Sequence, residues 1–170
     1  MKLALASDHR GFEAKRRLLP ALKKMGHEVQ DFGCDSPASC DYPDFAAAAS
    51  RAVVAGNADI AILLDGSGIG MSLAANKIGG VRAALAHDEI TARLAREHNH
   101  CNVLCIGSDL LSEDHLRQIV EIFLTTPFSP GRHQRRVEKI CQIEAEESAR
   151  HQPKSQNGPV PERRKVAREK

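Results

Sequence analysis

Apolar positions along the chain fall into two alternating rhythms. Unbroken apolar runs at residues 3–6 and 60–64, mainly apolar stretches at 81–86 and 101–106 interrupted by Arg82 and Asn102, and a strand-like stretch at 27–32 have the length of strands. Runs without polar alternation suit strands covered on both faces, as in a parallel sheet. Between them the period lengthens. Phe12, Leu18, Leu19, Leu22 and Met25 recur at three- and four-residue spacing between Gly11 and Gly26, which predicts a helix with one apolar face, kinked by Pro20. An alanine-rich helix is predicted from a cap at Asp44 to about Ala55, and another from Asp88 to Glu97. Two more are predicted over about 113–124 and 132–147.

Strand and helix alternate five times. That order predicts an α/β fold: a doubly wound, Rossmann-like five-stranded parallel sheet with helices on both faces, a three-layer sandwich with right-handed crossovers. Ligands of such sheets bind outside the carboxyl ends of the strands. The stretch from Ile60 to Lys77, I-A-I-L-L-D-G-S-G-I-G-M-S-L-A-A-N-K, places a polar residue there, Asp65, followed by Gly66, Ser67, Gly68, Ile69 and Gly70. Glycines this close together let backbone N–H groups approach a ligand, and an anionic oxygen suits them. The plainer reading is a tight strand-to-helix turn that binds nothing. No Lys-Ser or Lys-Thr follows the last glycine, and Met71 stands where a dinucleotide fingerprint needs its third glycine, so nucleotide binding is disfavoured.

Other polar residues stand beside predicted strands: Asp8 and His9 after the first, His98 and Asn99 before the last. With Asp65 they are expected to share one crevice, where histidine can donate or accept a proton near neutral pH. Arg132 and Arg136, four apart on a predicted helix, share one face and suit a phosphate, or else form an ordinary solvated face with Arg135, Glu138 and Lys139. His98, His100, Cys101 and Cys105 fit no standard zinc spacing, so no metal is expected.

Composition narrows the classes. The chain has 170 residues and a net charge of +2, yet from Ala149 onward it carries seven Lys and Arg against two Glu, so residues 1–148 carry about −3. A mildly acidic body argues against nucleic-acid binding. Two domains in the loose sense are expected: a folded unit at 1–148 and a basic, disordered tail at 149–170, rich in Gln, Pro, Lys and Arg. No apolar run approaches transmembrane length and the opening lacks a signal-peptide pattern, so no membrane partner and a cytoplasmic location are expected. Five cysteines, an odd number, read as free thiols.

Five motifs in order, S-D-H-R-G-F, D-Y-P-D, D-G-S-G-I-G-M-S-L-A-A-N-K, H-N-H-C-N-V and G-R-H-Q-R-R-V, resemble the type B ribose-5-phosphate isomerases and the related galactose-6-phosphate isomerase subunits over residues 1–147. The resemblance implies a homodimer or dimer of dimers with shared active sites, no cofactor, and aldose–ketose interconversion of a sugar phosphate through a cis-enediolate. It further implies that Asp8, His9 and Tyr42 contact sugar and phosphate and that Gly66, Gly68, Ile69 and Gly70 hold the enediolate oxygens. By the same resemblance Ser67 stands where Thr is common, His98 opens the sugar ring, Asn99 binds sugar, and Arg132 and Arg136 clamp phosphate. Three positions depart from the family pattern. Asp65 replaces the usual cysteine base, Asp109 stands where an arginine often follows Gly-Ser, and Arg10 is unusual and is expected to compensate in part. A catalytic reading makes Asp65 the base, with ribose 5-phosphate as substrate or else an allose, galactose or tetrose phosphate. The alternative is a sugar-phosphate-binding, non-catalytic or regulatory subunit.

Overall fold

The computed structural model describes residues 1–150. Five strands, β1 (Lys2–Ser7), β2 (Glu28–Asp31), β3 (Ile60–Asp65), β4 (Ala83–Leu85) and β5 (Val103–Gly107), form one parallel sheet in the order β2-β1-β3-β5-β4. Among the described residues six helices accompany them: α1 (Phe12–Lys24), α2 (Tyr42–Val54), α3 (Ile69–Ala75), α4 (Glu89–Asn99), α5 (Glu113–Thr125) and α6 (Gly131–Arg150).

The strand period of two divides the core into two compositions. Leu3, Leu5, Ile60, Ile62, Leu64, Leu104 and Ile106 face α1, α4 and α5, where Leu18, Leu22, Ile119 and Phe123 meet them. Ala4, Ala6, Ala61, Leu63, Val103 and Cys105 face α2 and α3, against Ala46, Ala49, Met71 and Ala75. One layer is filled by branched side chains and the other by close approach of alanine-faced helices. Fully burying a Leu or Ile contributes about 1.5–3 kcal/mol, so the first layer holds more of the hydrophobic stabilisation.

The predicted three-layer doubly wound architecture is therefore present. The chain leaves β1 for β2 through α1, then returns across the opposite face through α2 to β3. Winding reverses between β1 and β3, the point at whose carboxyl edge sheets of this kind place their ligands. The expected kink does not end α1, which runs on through Pro20 with Leu18 and Leu22 on either side pinned into the core. Asp41, not Asp44, occupies the N-cap of α2, because Pro43 suits the first turn, where its missing N–H costs nothing. Asp88 caps α4 as expected, in a capping box with Thr91. That helix continues to Asn99, and α6 continues to Arg150, so the boundary expected after residue 148 falls inside a helix. The remainder of the expected tail lies outside the described residues.

Candidate active site

Strand register sets one half of the site. Ser7 lies beside Leu64, Leu64 beside Ile106, and Asp65 beside Gly107, so the tips of β1, β3 and β5 end at one level. Asp8 is buried and its Oδ1 accepts the backbone N–H groups of Arg10 (2.9 Å) and Gly11 (3.0 Å), closing the turn into α1. His9 Nδ1 accepts the N–H of Cys40 at 3.3 Å and lies 3.9 Å from its Sγ. With Nδ1 accepting, the neutral ring carries its proton on Nε2. Tyr42 reaches the same edge from the first turn of α2. Its ring covers Gly70 so closely that a Cβ there would fall 2.7 Å from Tyr42 Cζ.

Asp65 is the buried centre of this half, at 4% exposure. Its Oδ1 accepts the N–H groups of Ser67 (3.0 Å) and Gly68, and its Oδ2 accepts that of Met71 (3.1 Å). The N–H of Ile69 goes to Ser67 Oγ at 3.3 Å. The chain's own carboxylate therefore occupies much of the N–H cradle in which the resemblance leads us to expect substrate oxygens. Among the described residues, the N–H groups of Gly66 and Gly70 make no hydrogen bond. Oδ2, with a single backbone donor, keeps the more open lone pair. Gly68, left-handed at φ 78°, turns the loop into α3.

The other half lies elsewhere. His98 and Asn99 end α4, immediately before the amino end of β5, and so sit at the opposite edge of the sheet from Asp65. The single crevice expected from the sequence does not form within one chain. Around His98 a second cluster assembles from α6. The His98 ring stacks on His133 with centroids 4.0 Å apart and planes within 7°. His133 is buried, and Arg132 Nε points at its Nε2 from 3.4 Å. Burial, and then the adjacent His98, Arg132 and Arg136, push the His133 pKa down. Arg132 and Arg136 are exposed and, among the described residues, make no ion pair. Two exposed guanidiniums one turn apart have the charge and geometry that suit an anion.

Sequence reasoning passed over several contributors. Cys40 orients His9 through its backbone, a role without a sequence signal. His133 was visible only as the residue four before Val137, both buried on one helical face. Ser108 joins the strand tips, its Oγ donating to Asp65 O (2.8 Å) and Arg10 O (3.3 Å). Arg10 is committed to Asp109, at 2.6 and 2.9 Å, rather than free to replace a missing cation, and the hydrogen bond to Asp109 pushes its pKa further up. All five cysteines are free thiols, and burial pushes Cys101 up to about 11. Among the described residues no group of three or more His, Cys, Asp or Glu is placed to hold a metal ion, and no helix is long and apolar enough to cross a membrane.

The fold and the carboxyl-edge site define a doubly wound α/β protein with a buried carboxylate inside a glycine loop and separate basic residues at the opposite edge. Comparison with known proteins assigns it further. The model of the ribose/galactose isomerase family matches residues 3–140. A putative sugar phosphate isomerase, YwlF, of Bacillus subtilis is 44% identical over 145 residues, covering 85% of this chain and 97% of that protein. Ribose-5-phosphate isomerase B of Escherichia coli is 41% identical, over 84% and 96%. Among solved structures, Clostridium thermocellum ribose-5-phosphate isomerase B superposes with a TM-score of 0.85 at 43% identity, over 86% and 99%. The enzyme from Mycoplasma genitalium, solved with bound ribulose-5-phosphate, gives 0.82 at 41%, over 85% and 97%. The chain belongs to the ribose/galactose isomerase family.

Proposed function

We propose that the chain interconverts ribose 5-phosphate and ribulose 5-phosphate through a cis-enediolate. Membership of the family makes it a sugar-phosphate isomerase; the substrate, the base and the assembly are our reading. The observation that carries it is the Asp65 carboxylate at the carboxyl edge, fixed by loop N–H groups on one oxygen and more open on the other.

Asp65 Oδ2 takes the proton from C2 of the open-chain aldose. The electron pair released forms the C1=C2 bond, and the carbonyl pair moves onto O1. The N–H groups of Gly66 and Gly70 face that oxygen, and donors fixed before the reaction stabilise charge as it develops. Ser67 passes a proton between O2 and O1, and Asp65 returns its proton to C1, leaving the carbonyl at C2. Asp8, His9 and Tyr42 hold the sugar. His98 and Asn99, which open the ring and bind the sugar, come from a second copy of the chain together with the phosphate clamp of Arg132 and Arg136. Only then do the two sheet edges meet, which makes the working unit a homodimer or a dimer of dimers.

A second reading has its own support. Asp65 fills its own loop with three N–H contacts, as expected of a regulatory subunit that binds sugar phosphate without converting it. Ketose formation from ribose 5-phosphate by the purified chain separates the two. Turnover that disappears with Asp65→Asn supports the isomerase, whereas calorimetric binding without turnover by the parent supports the regulatory subunit.

A further inference from the structure

Three carboxylates occupy neighbouring turns at the carboxyl edge: Asp8 after β1, Asp65 at the end of β3 and Asp109 after β5. Asp8 and Asp65 are taken up by backbone N–H groups of their own turns. Asp109 is placed differently. Its Oδ2 lies 2.7 Å from where a Cβ on Gly66 would sit, so the carboxylate rests directly against the glycine loop. That same oxygen accepts Arg10 Nε at 2.9 Å and Arg10 Nη2 at 2.6 Å. Arg10 is fixed through its backbone as well, donating its N–H to Asp8 Oδ1 and accepting Ser108 Oγ–H at its carbonyl. The ion pair therefore spans from the β1 turn to the β5 turn across the first glycine of the loop.

An enediolate forming over this loop adds negative charge beside a carboxylate already in contact with Gly66. Left uncompensated, Asp109 opposes that charge. We infer that Arg10 is a charge-cancelling, positioning residue for the reaction: by pairing with Asp109 it lets the glycine loop accept the developing oxyanion. This rests on the isomerase reading. Arg10 need not touch the substrate, since it acts through Asp109, and the plainer possibility is that the pair merely fastens two turns together.

The experiment compares the full-length parent with Arg10→Ala, Arg10→Lys and the double variant Arg10→Ala/Asp109→Asn. Turnover of ribose 5-phosphate, calorimetric binding of ribose 5-phosphate, and melting temperature are measured from low to high salt. Arg10→Ala lowers kcat on the order of tenfold at low salt, with a smaller change in KM, because the opposed charge is greatest in the transition state. Both side chains are exposed, so the deficit shrinks as salt screens Asp109. Arg10→Lys loses less, and the double variant regains most of kcat because no carboxylate remains to oppose the enediolate. A fastening role predicts the reverse: no recovery in the double variant, no salt dependence, and a lowered melting temperature. Any of those outcomes overturns the inference, as does an Arg10→Ala chain that matches the parent in turnover and binding. If the parent shows no turnover, the isomerase reading fails. The inference then falls with it, whereas a parent that turns over and an Arg10→Ala chain that matches it overturn the inference alone.

Discussion

A site divided between opposite sheet edges has a measurable signature in mixed dimers. From Val103 to Gly107, β5 alone separates the edges by four residue steps, about 13 Å at 3.3 Å each. His98 and Asn99 lie beyond its amino end, so no side-chain rotation brings them to Asp65 in the same chain. One variant carries Asp65→Asn and the other His98→Ala, each with a different affinity tag, and the heterodimer is purified on both. In a two-fold dimer one composite site receives both lesions and the other receives none. Each homodimer is therefore inactive, and the heterodimer recovers about half of the parent's kcat per dimer, with KM unchanged. Steady-state formation of ribulose 5-phosphate is the assay. A heterodimer no more active than either homodimer would mean that every site holds one lesion, and so that the site is completed within one chain.

Other expectations follow from single contacts. Asp65→Asn removes turnover and also sets an amide N–H against a loop N–H, whichever way it is oriented, at a cost of about 1–3 kcal/mol read as a lower melting temperature; full turnover by this variant rules out Asp65 as the base. Arg136→Ala raises KM for the phosphorylated sugar with little effect on kcat, because a phosphate is held equally in ground and transition states; an unchanged KM removes Arg136 from the clamp. Truncation after Arg150 leaves melting temperature and activity nearly unchanged, since the composition beyond it offers little apolar burial, and a loss of several degrees would show docking. Burial pushes the His27, His100 and His133 pKa values down, so each binds a proton more readily in the unfolded chain. Their contribution is present in full above about pH 6.5 and is lost as pH falls through their lowered values, so the melting temperature declines on acidification and His133→Gln flattens that decline.

The parallel sheet was legible because strands covered on both faces leave long apolar runs, and the Asp65 loop was legible as a tight strand-to-helix turn because three glycines follow such a run. His98 and Asn99 do not meet Asp65 within one chain, and the signal for that separation was present. In a parallel sheet a residue that precedes a strand sits at the edge opposite one that follows a strand, so chain direction alone separates His98 from Asp65. Side-chain commitments were not legible. Nothing in periodicity says that Asp65 folds back onto Ser67, Gly68 and Met71, or that Arg10 faces Asp109 rather than solvent, since both follow from turn geometry. The helix ends moved for local reasons: Pro43 suits the first turn of α2 and draws its start forward to Tyr42, and α4 keeps its last residues helical until His100 turns left-handed at φ 50°.

The crowding around the glycine loop also bears on how such a site can evolve. A side chain at residue 66 strikes Asp109, one at residue 70 strikes Tyr42, and any replacement of Asp65 disturbs three backbone donors together. Replacement of Asp65 or Gly70 is therefore penalised on its own, a side chain at residue 66 requires the exposed Asp109 carboxylate to move aside, and the paired positions 10 and 109 are expected to change together. The half on α4 and α6 presents exposed side chains on regular helices, where residues around the clamp can change without clashes against a glycine loop. In the proposed dimer a mutation in one copy alters the pocket of the other, so selection for a new sugar would act mainly on the surface each chain lends to its neighbour.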